Sequence, residues 1–279
     1  MATNAVVNYP EYRLHTKARR EANTAIMALL VGSPMAAHLL NLTDGSKTLI
    51  PQIFPAIHHV NRFNLTPGEA RAVLVNADSH LGTMAVPYAL ALHEDLMRSC
   101  VNMVNAPVPD NASRLHGALS TATGQHFSPD LLSQFHLVRE MRNAVIHSGG
   151  TIDSRVVQRA TALSPAASQN WVRIVGRSPL GLPAGSSIDL GTGEMLLALS
   201  VTTALAREAN RMLIASVSRQ RWAEVIIDDF VDNHDLAGLK RITADRRMKK
   251  VENFARFHYG VLAMTTAELQ VTAGQAHLV

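Results

Sequence analysis

The feature that most limits how this chain can fold is a succession of apolar stripes at three-to-four spacing, each cut off by proline or glycine. Ala89, Leu92, Leu96, Cys100 and Met103 or Val104 repeat in this way between Val86 and Val104, and Pro107 ends the run. Ser128-Pro129-Asp130 opens a second run, Leu131, Phe135, Val138, Met141 and Val145, which Gly149 and Gly150 terminate. A third follows Gly193, with Leu197, Val201, Leu205, Ala209 and Met212 on one side as far as Val217. Thr66-Pro67-Gly68-Glu69 marks a further helix start: a hydroxyl cap, a proline at the first helical position and a glutamate able to reach back to the cap amide. Helices with one apolar side must bury it against one another, so the expected fold is mainly all-α, an antiparallel helical bundle.

The stretches between these runs complete the outline. Pro10 to Val31 reads as a first helix stopped by Gly32, Ser33 and Pro34, and the segment from Asn41 to Asn64, with Pro51 and Pro55, reads as a connector. Eight of the twelve residues from Gly176 to Ser187 are Gly, Pro or Ser, and they separate Trp171–Val175 from Ser187–Leu190. That pattern predicts a long-looped β-hairpin. Trp222, Val225, Ile226, Ile227 and Phe230 fit a strand or a buried helix equally well. Two helices are expected around Leu236 to Ile242 and Asp245 to Met264, and Thr265-Thr266-Ala267-Glu268 opens a last short one. The resulting division is an N-terminal helical extension over 1–80, a bundle over 81–217 carrying the hairpin near 170–190, and a small C-terminal basic helical module over 218–279.

Composition narrows the function. With 47% hydrophobic residues over 279 positions the chain can bury a substantial core, and a single cysteine, Cys100, excludes a disulfide scaffold and suggests a reducing, cytoplasmic setting. The longest apolar run, Ala25 to Val31, falls well short of the roughly 18 residues of a membrane-spanning helix, so no membrane association is expected. Lys17, Arg19 and Arg20 before that run imitate a signal peptide, but Glu11 and Glu21 fit an amphipathic helix better. A net charge of +4 leans only slightly toward anionic partners.

The chemistry concentrates in Arg142-Asn143-Ala144-Val145-Ile146-His147, at the end of the second stripe. Asn143 and His147 are four apart and share a helix face, whereas Arg142 lies about 140° around from His147. Imidazole suits proton transfer near neutral pH, and a guanidinium offers permanent charge and paired donors for phosphate oxygens. A histidine and an arginine at a helix end also serve simply as a carbonyl cap and a solvated charge.

Arg-Asn, three mostly apolar residues and His, closing a helix before glycines, resembles the signature of the HEPN superfamily, and the order of elements from Pro87 to Val217 is consistent with that family's layout. The resemblance implies an all-α, usually dimeric bundle and a metal-independent endoribonuclease acting by 2′-hydroxyl attack, in defence or toxin-like RNA turnover. Carried onto this chain, it makes His147 the general base or acid, Arg142 the ligand of the scissile phosphate and Asn143 an orienting group. Arg139 and Glu140, one turn back, either extend the phosphate surface or form an ordinary surface pair, and the solvated-face reading is the favoured one. In the toxin subfamily paired with nucleotidyltransferase antitoxins a tyrosine stands two residues beyond the histidine; Gly149 occupies that position here, which argues against control by that partner.

Other chemistries find less support. His58-His59, His80 and His93-Glu94 lack the helical spacing of a zinc protease, so no metal is expected. Gly176 to Gly185 lacks the lysine and helix of a phosphate loop, Gly191-Thr192-Gly193-Glu194 reads as a turn before a helix, and no cofactor is expected. From His234 to Tyr259 the chain carries Lys240, Arg241, Arg246, Arg247, Lys249, Lys250 and Arg256 against Asp235, Asp245 and Glu252, a nucleic-acid-binding candidate. The expected partners are therefore RNA, a second copy of the chain, and an antitoxin or larger complex. The rival expectation is a catalytically inactive dimerisation scaffold, or a regulator that contacts nucleic acid through the C-terminal module.

Overall fold

The computed structural model describes residues 6–43, 45–55 and 64–276. In chain order its helices are α1 (Pro10–Leu40), α2 (Ile50–Ile53), α3 (Pro67–Val75), α4 (Ala77–Met103), α5 (Leu115–Thr123), α6 (Pro129–His147) and α7 (Ser154–Thr161). They continue as α8 (Pro165–Val175), α9 (Thr192–Ser216), α10 (Arg219–Asp232), α11 (Leu236–Lys240), α12 (Ala244–Tyr259) and α13 (Thr266–Gln275). No β-strand occurs among the described residues; one isolated bridge, Thr151 to Ser187, is the only extended pairing among them. The all-α expectation therefore holds.

Two compact units alternate along the sequence. The first comprises Met1–Ala18, Ala91–Pro129 and Thr202–Val279, the second Arg19–Leu90 and Asp130–Val201. In the first unit Tyr9, Trp222 and Tyr259 are buried, with ring centroids 6.1 Å apart for Tyr9 and Trp222 and 6.3 Å for Trp222 and Tyr259. Asp229 ties this aromatic cluster together: it accepts from Arg13 at 2.5 and 2.9 Å and from the Tyr259 hydroxyl at 2.6 Å. Val7 exchanges two hydrogen bonds with the Asn210 side chain, 2.9 and 2.8 Å, and Asn8 N–H donates to the His258 carbonyl at 3.0 Å. Cys100 is fully buried, as its place in the apolar stripe predicts, and burial pushes its thiol up to about 12.

In the second unit the loop before α9 is fastened by Glu194, which is 2% exposed. Its carboxylate accepts from Arg177 Nε and Nη2 at 3.0 and 2.6 Å and from the Gly191 amide at 3.1 Å. Gly82 in α4 lies so close to this loop that a Cβ would stand 1.6 Å from the Leu190 carbonyl oxygen, so only glycine fits there.

The structure corrects the sequence reading at several places. The β-hairpin is absent: Trp171–Val175 is the last part of α8. Its start is set upstream, where Ser164 Oγ accepts from the Ala167 amide at 3.0 Å and Pro165 takes the first helical position. Ala167 and Trp171, four apart, are both buried, and Gly176 closes the helix at a φ of +81°. The ambiguous run Trp222 to Phe230 lies in α10, capped by Ser218. Helix α4 begins at Ala77 and includes Pro87.

Helix α1 continues through Gly32, Ser33 and Pro34 to Leu40, because Ala37 and Leu40 beyond the proline are buried and Ser33 Oγ donates to the Leu29 carbonyl at 2.6 Å. With the turn that follows, Pro10–Thr43 contains an 18-residue stretch long and apolar enough to cross a membrane by length and composition alone, with a mean hydropathy of 1.6 and 22% of it buried. Dividing the run at Gly32 conceals this. Leu29, Val31, Met35 and Leu39 are 53 to 66% exposed along it.

Candidate functional site on helix α6

Helix α6 is anchored at both ends within its own unit. At its start the Asp130 carboxylate accepts from the Ser164 hydroxyl at 2.6 Å, which joins the first turn of α6 to the cap of α8. One turn later Gln134, 1% exposed, donates to the Ala167 carbonyl at 2.7 Å and accepts from Asn170 at 3.2 Å. The apolar stripe lies inward as expected: Phe135, Val138 and Met141 are buried, and Leu131 and Val145 half-buried. At the far end Gly149 and Gly150 adopt φ of +61° and +76°, and the Gly150 amide returns to the Ala144 carbonyl at 3.0 Å. The chain leaving α6 is then pinned by Ile152 N–H to the Ser186 carbonyl, 2.8 Å, and Ile188 N–H to the Gly150 carbonyl, 2.7 Å. The backbone that carries His147 is thus held in place.

Each candidate side chain takes a distinct place on this scaffold. His147 is exposed; Arg142 and Asn143 are half-buried. Asn143 Nδ2 donates to Glu140 at 3.4 Å, and the other oxygen of Glu140 accepts from Arg139 Nη2 at 3.2 Å. Arg139 is only 8% exposed and so does not extend a solvent-facing phosphate surface; its charge is matched internally by Glu140.

Sequence reasoning passed over His136, which shares the helix face of Glu140, Asn143 and His147 at spacings of four, seven and eleven. The signal was available in that spacing. Burial, reinforced by Arg139 and Arg159 and opposed by Glu140, pulls its pKa down to about 4, so it is neutral at neutral pH. About 16 Å of helix rise separates it from His147, too far for both to act on one phosphate.

The basic segment is sorted by the structure as well. Arg241, Arg246, Lys249, Lys250 and Arg256 are exposed. Arg247 is half-buried and donates to the Ile242 and Leu239 carbonyls at 2.9 and 3.4 Å, which makes it a tie across the turn between α11 and α12. Lys240 is the last residue of α11, and its side chain lies outside the described residues. So do His58 and His59. His93 is fully buried, its Nε2 2.9 Å from that of His116; burial and its imidazole neighbours hold its pKa well below the usual value. Among the described residues no group of three His, Cys, Asp or Glu is arranged to hold a metal ion.

No family model matches this chain, and neither the curated proteins nor the solved structures include one significantly similar to it.

Proposed function

We propose that this protein is a metal-independent, cytoplasmic endoribonuclease of HEPN type that acts as a homodimer, in defence or toxin-like RNA turnover. The observation that carries the reading is the exposed imidazole of His147 at the rigidly terminated end of α6, with Arg142 and Asn143 in the turn and a half behind it. A water-facing histidine on a held backbone, with a guanidinium about one and a half turns behind that can reach around the helix toward it, suits cleavage by an internal nucleophile.

His147 withdraws the 2′-hydroxyl proton, and the 2′ oxygen attacks phosphorus. As that bond forms, the bond to the 5′ oxygen breaks, and the leaving oxygen takes a proton from the imidazolium of the second copy's histidine. Arg142 offsets the charge that develops on the phosphate oxygens. The products are a 2′,3′-cyclic phosphate and a 5′-hydroxyl. Asn143, one N–H of which is directed to Glu140, serves as the orienting group.

The test compares cleavage of a mixed RNA pool by the full chain and by His147→Ala, both in chelator, with chemical analysis of the product ends. Cyclic phosphate ends formed by the wild type and lost in the variant are expected. Absence of cleavage by a folded, dimeric wild type would overturn the reading in favour of an inactive scaffold.

A further inference from the structure

We infer that the outer face of α12 is a binding surface for single-stranded nucleic acid, with Phe257 as its base-stacking residue. On a helix of about 3.6 residues per turn, Arg246, Lys249, Lys250, Asn253, Arg256 and Phe257 fall within an arc of about 120°. All six are exposed, and Phe257 is 79% exposed. The face holds four cations and no carboxylate. Asp245 and Glu252 lie at or beyond its edge, and Glu252 is occupied by the Thr266 hydroxyl at 2.7 Å. The opposite side, Met248, Val251, Ala255 and Tyr259, is buried, so the helix is anchored and its cationic side is committed to solvent.

Two independent observations converge on the ligand. A row of cations without carboxylates matches a phosphodiester backbone and binds it by releasing counterions. Core packing does not explain a phenyl ring left almost wholly in water, whereas a ring among such cations offers the flat surface on which unpaired bases stack. Arg256, next to it in sequence, can lie against the same base. A lipid surface is the poorer fit, because an interfacial helix needs a broad exposed apolar side and Phe257 is the only large apolar side chain of α12 that is exposed. The surface is separate from the chemistry proposed for α6 and stands or falls without it.

The experiment is fluorescence anisotropy with labelled 20-nucleotide single-stranded RNA and DNA and a DNA duplex, at two salt concentrations, using the full chain with His147→Ala so that no probe is cut. Expected are salt-sensitive binding of both single strands, loss of about tenfold or more in Lys249→Glu/Lys250→Glu, and a several-fold loss for single strands alone in Phe257→Ala, rescued by Phe257→Trp. Because every altered side chain is exposed, unchanged circular dichroism and melting temperature should accompany these losses. Binding that is absent at low salt, indifferent to the charge reversals, or confined to vesicles of phosphatidylserine and phosphatidylcholine would overturn the proposal. Equal loss for single strands and duplex in Phe257→Ala would overturn the stacking role.

Discussion

Helices α6 and α12 both carry arginines singled out by the sequence, and they dispose of them in opposite ways. On α6, Arg139 is turned inward against Glu140, whose second oxygen takes Asn143, so His147 is the ionisable group left in water at that helix's end. On α12, Arg246, Lys249, Lys250 and Arg256 remain outside and only Arg247 is drawn in. The decisive difference is the position of the carboxylates: Glu140 is adjacent to Arg139, whereas the acids of α12 sit off its cationic face. A helix concentrates charge for binding when its acids lie elsewhere, and builds a fixed polar scaffold when they lie alongside.

The largest effect is expected at His147. His147→Ala should lower RNA cleavage by roughly 100-fold or more while the melting temperature holds, since the side chain is exposed. A fall in thermal stability together with activity would reassign the residue to helix termination. Next comes Glu140→Ala, which leaves the buried Arg139 without its carboxylate and should cost about 1 to 3 kcal/mol in chemical denaturation. Adding Arg139→Met should recover part of that loss; strict additivity of the two changes would show that the pair is not coupled.

A further effect is read by pH. His136 titrates near 4 in the folded chain against a usual 6.5, so the unfolded chain binds the proton first. Its contribution to stability is complete above pH 6.5 and is lost as pH falls from 6.5 toward 4. His136→Gln should flatten that limb of the stability profile, and an unaltered profile would locate the acid sensitivity elsewhere. The smallest effects belong to α12: Lys249→Ala should change stability by no more than about 0.5 kcal/mol, while Arg247→Ala, which gives up bonds to two carbonyls, should cost about 1 kcal/mol. Equal effects in denaturation would erase the distinction between the outward and inward cations.

Much of the fold was legible because its signals are local. Thr66 and Glu69 form the reciprocal cap read from their spacing, with Thr66 N–H to Glu69 at 2.8 Å, and Thr265 with Glu268 repeats it at 2.7 Å. Local composition misled where the deciding residue lay further away. Trp171–Val175 has the makeup of a strand, yet the cap at Ser164 commits the segment to a helix before it is reached. Pro34 looks like a terminator, but the buried residues past it carry α1 onward. At the candidate site the helix, its glycine ending and the exposure of His147 follow from the pattern. The inward course of Arg139 does not, because it depends on burial against the rest of the unit. The absence of carboxylates from the Phe257 face was written in the helical spacing and needed only the boundaries of α12 to become visible.

The way the first unit is threaded has a consequence for biosynthesis. Val7, Asn8 and Arg13 bond to Asn210, the His258 carbonyl and Asp229, so residues at one end of the first unit find their partners about 200 or more positions further along the chain. Every residue of the second unit has been made by Val201, before that closure can occur. Translation therefore delivers the unit bearing His147 ahead of the one bearing α12, and Tyr9 stays uncovered until Trp222, against which it packs, has been made.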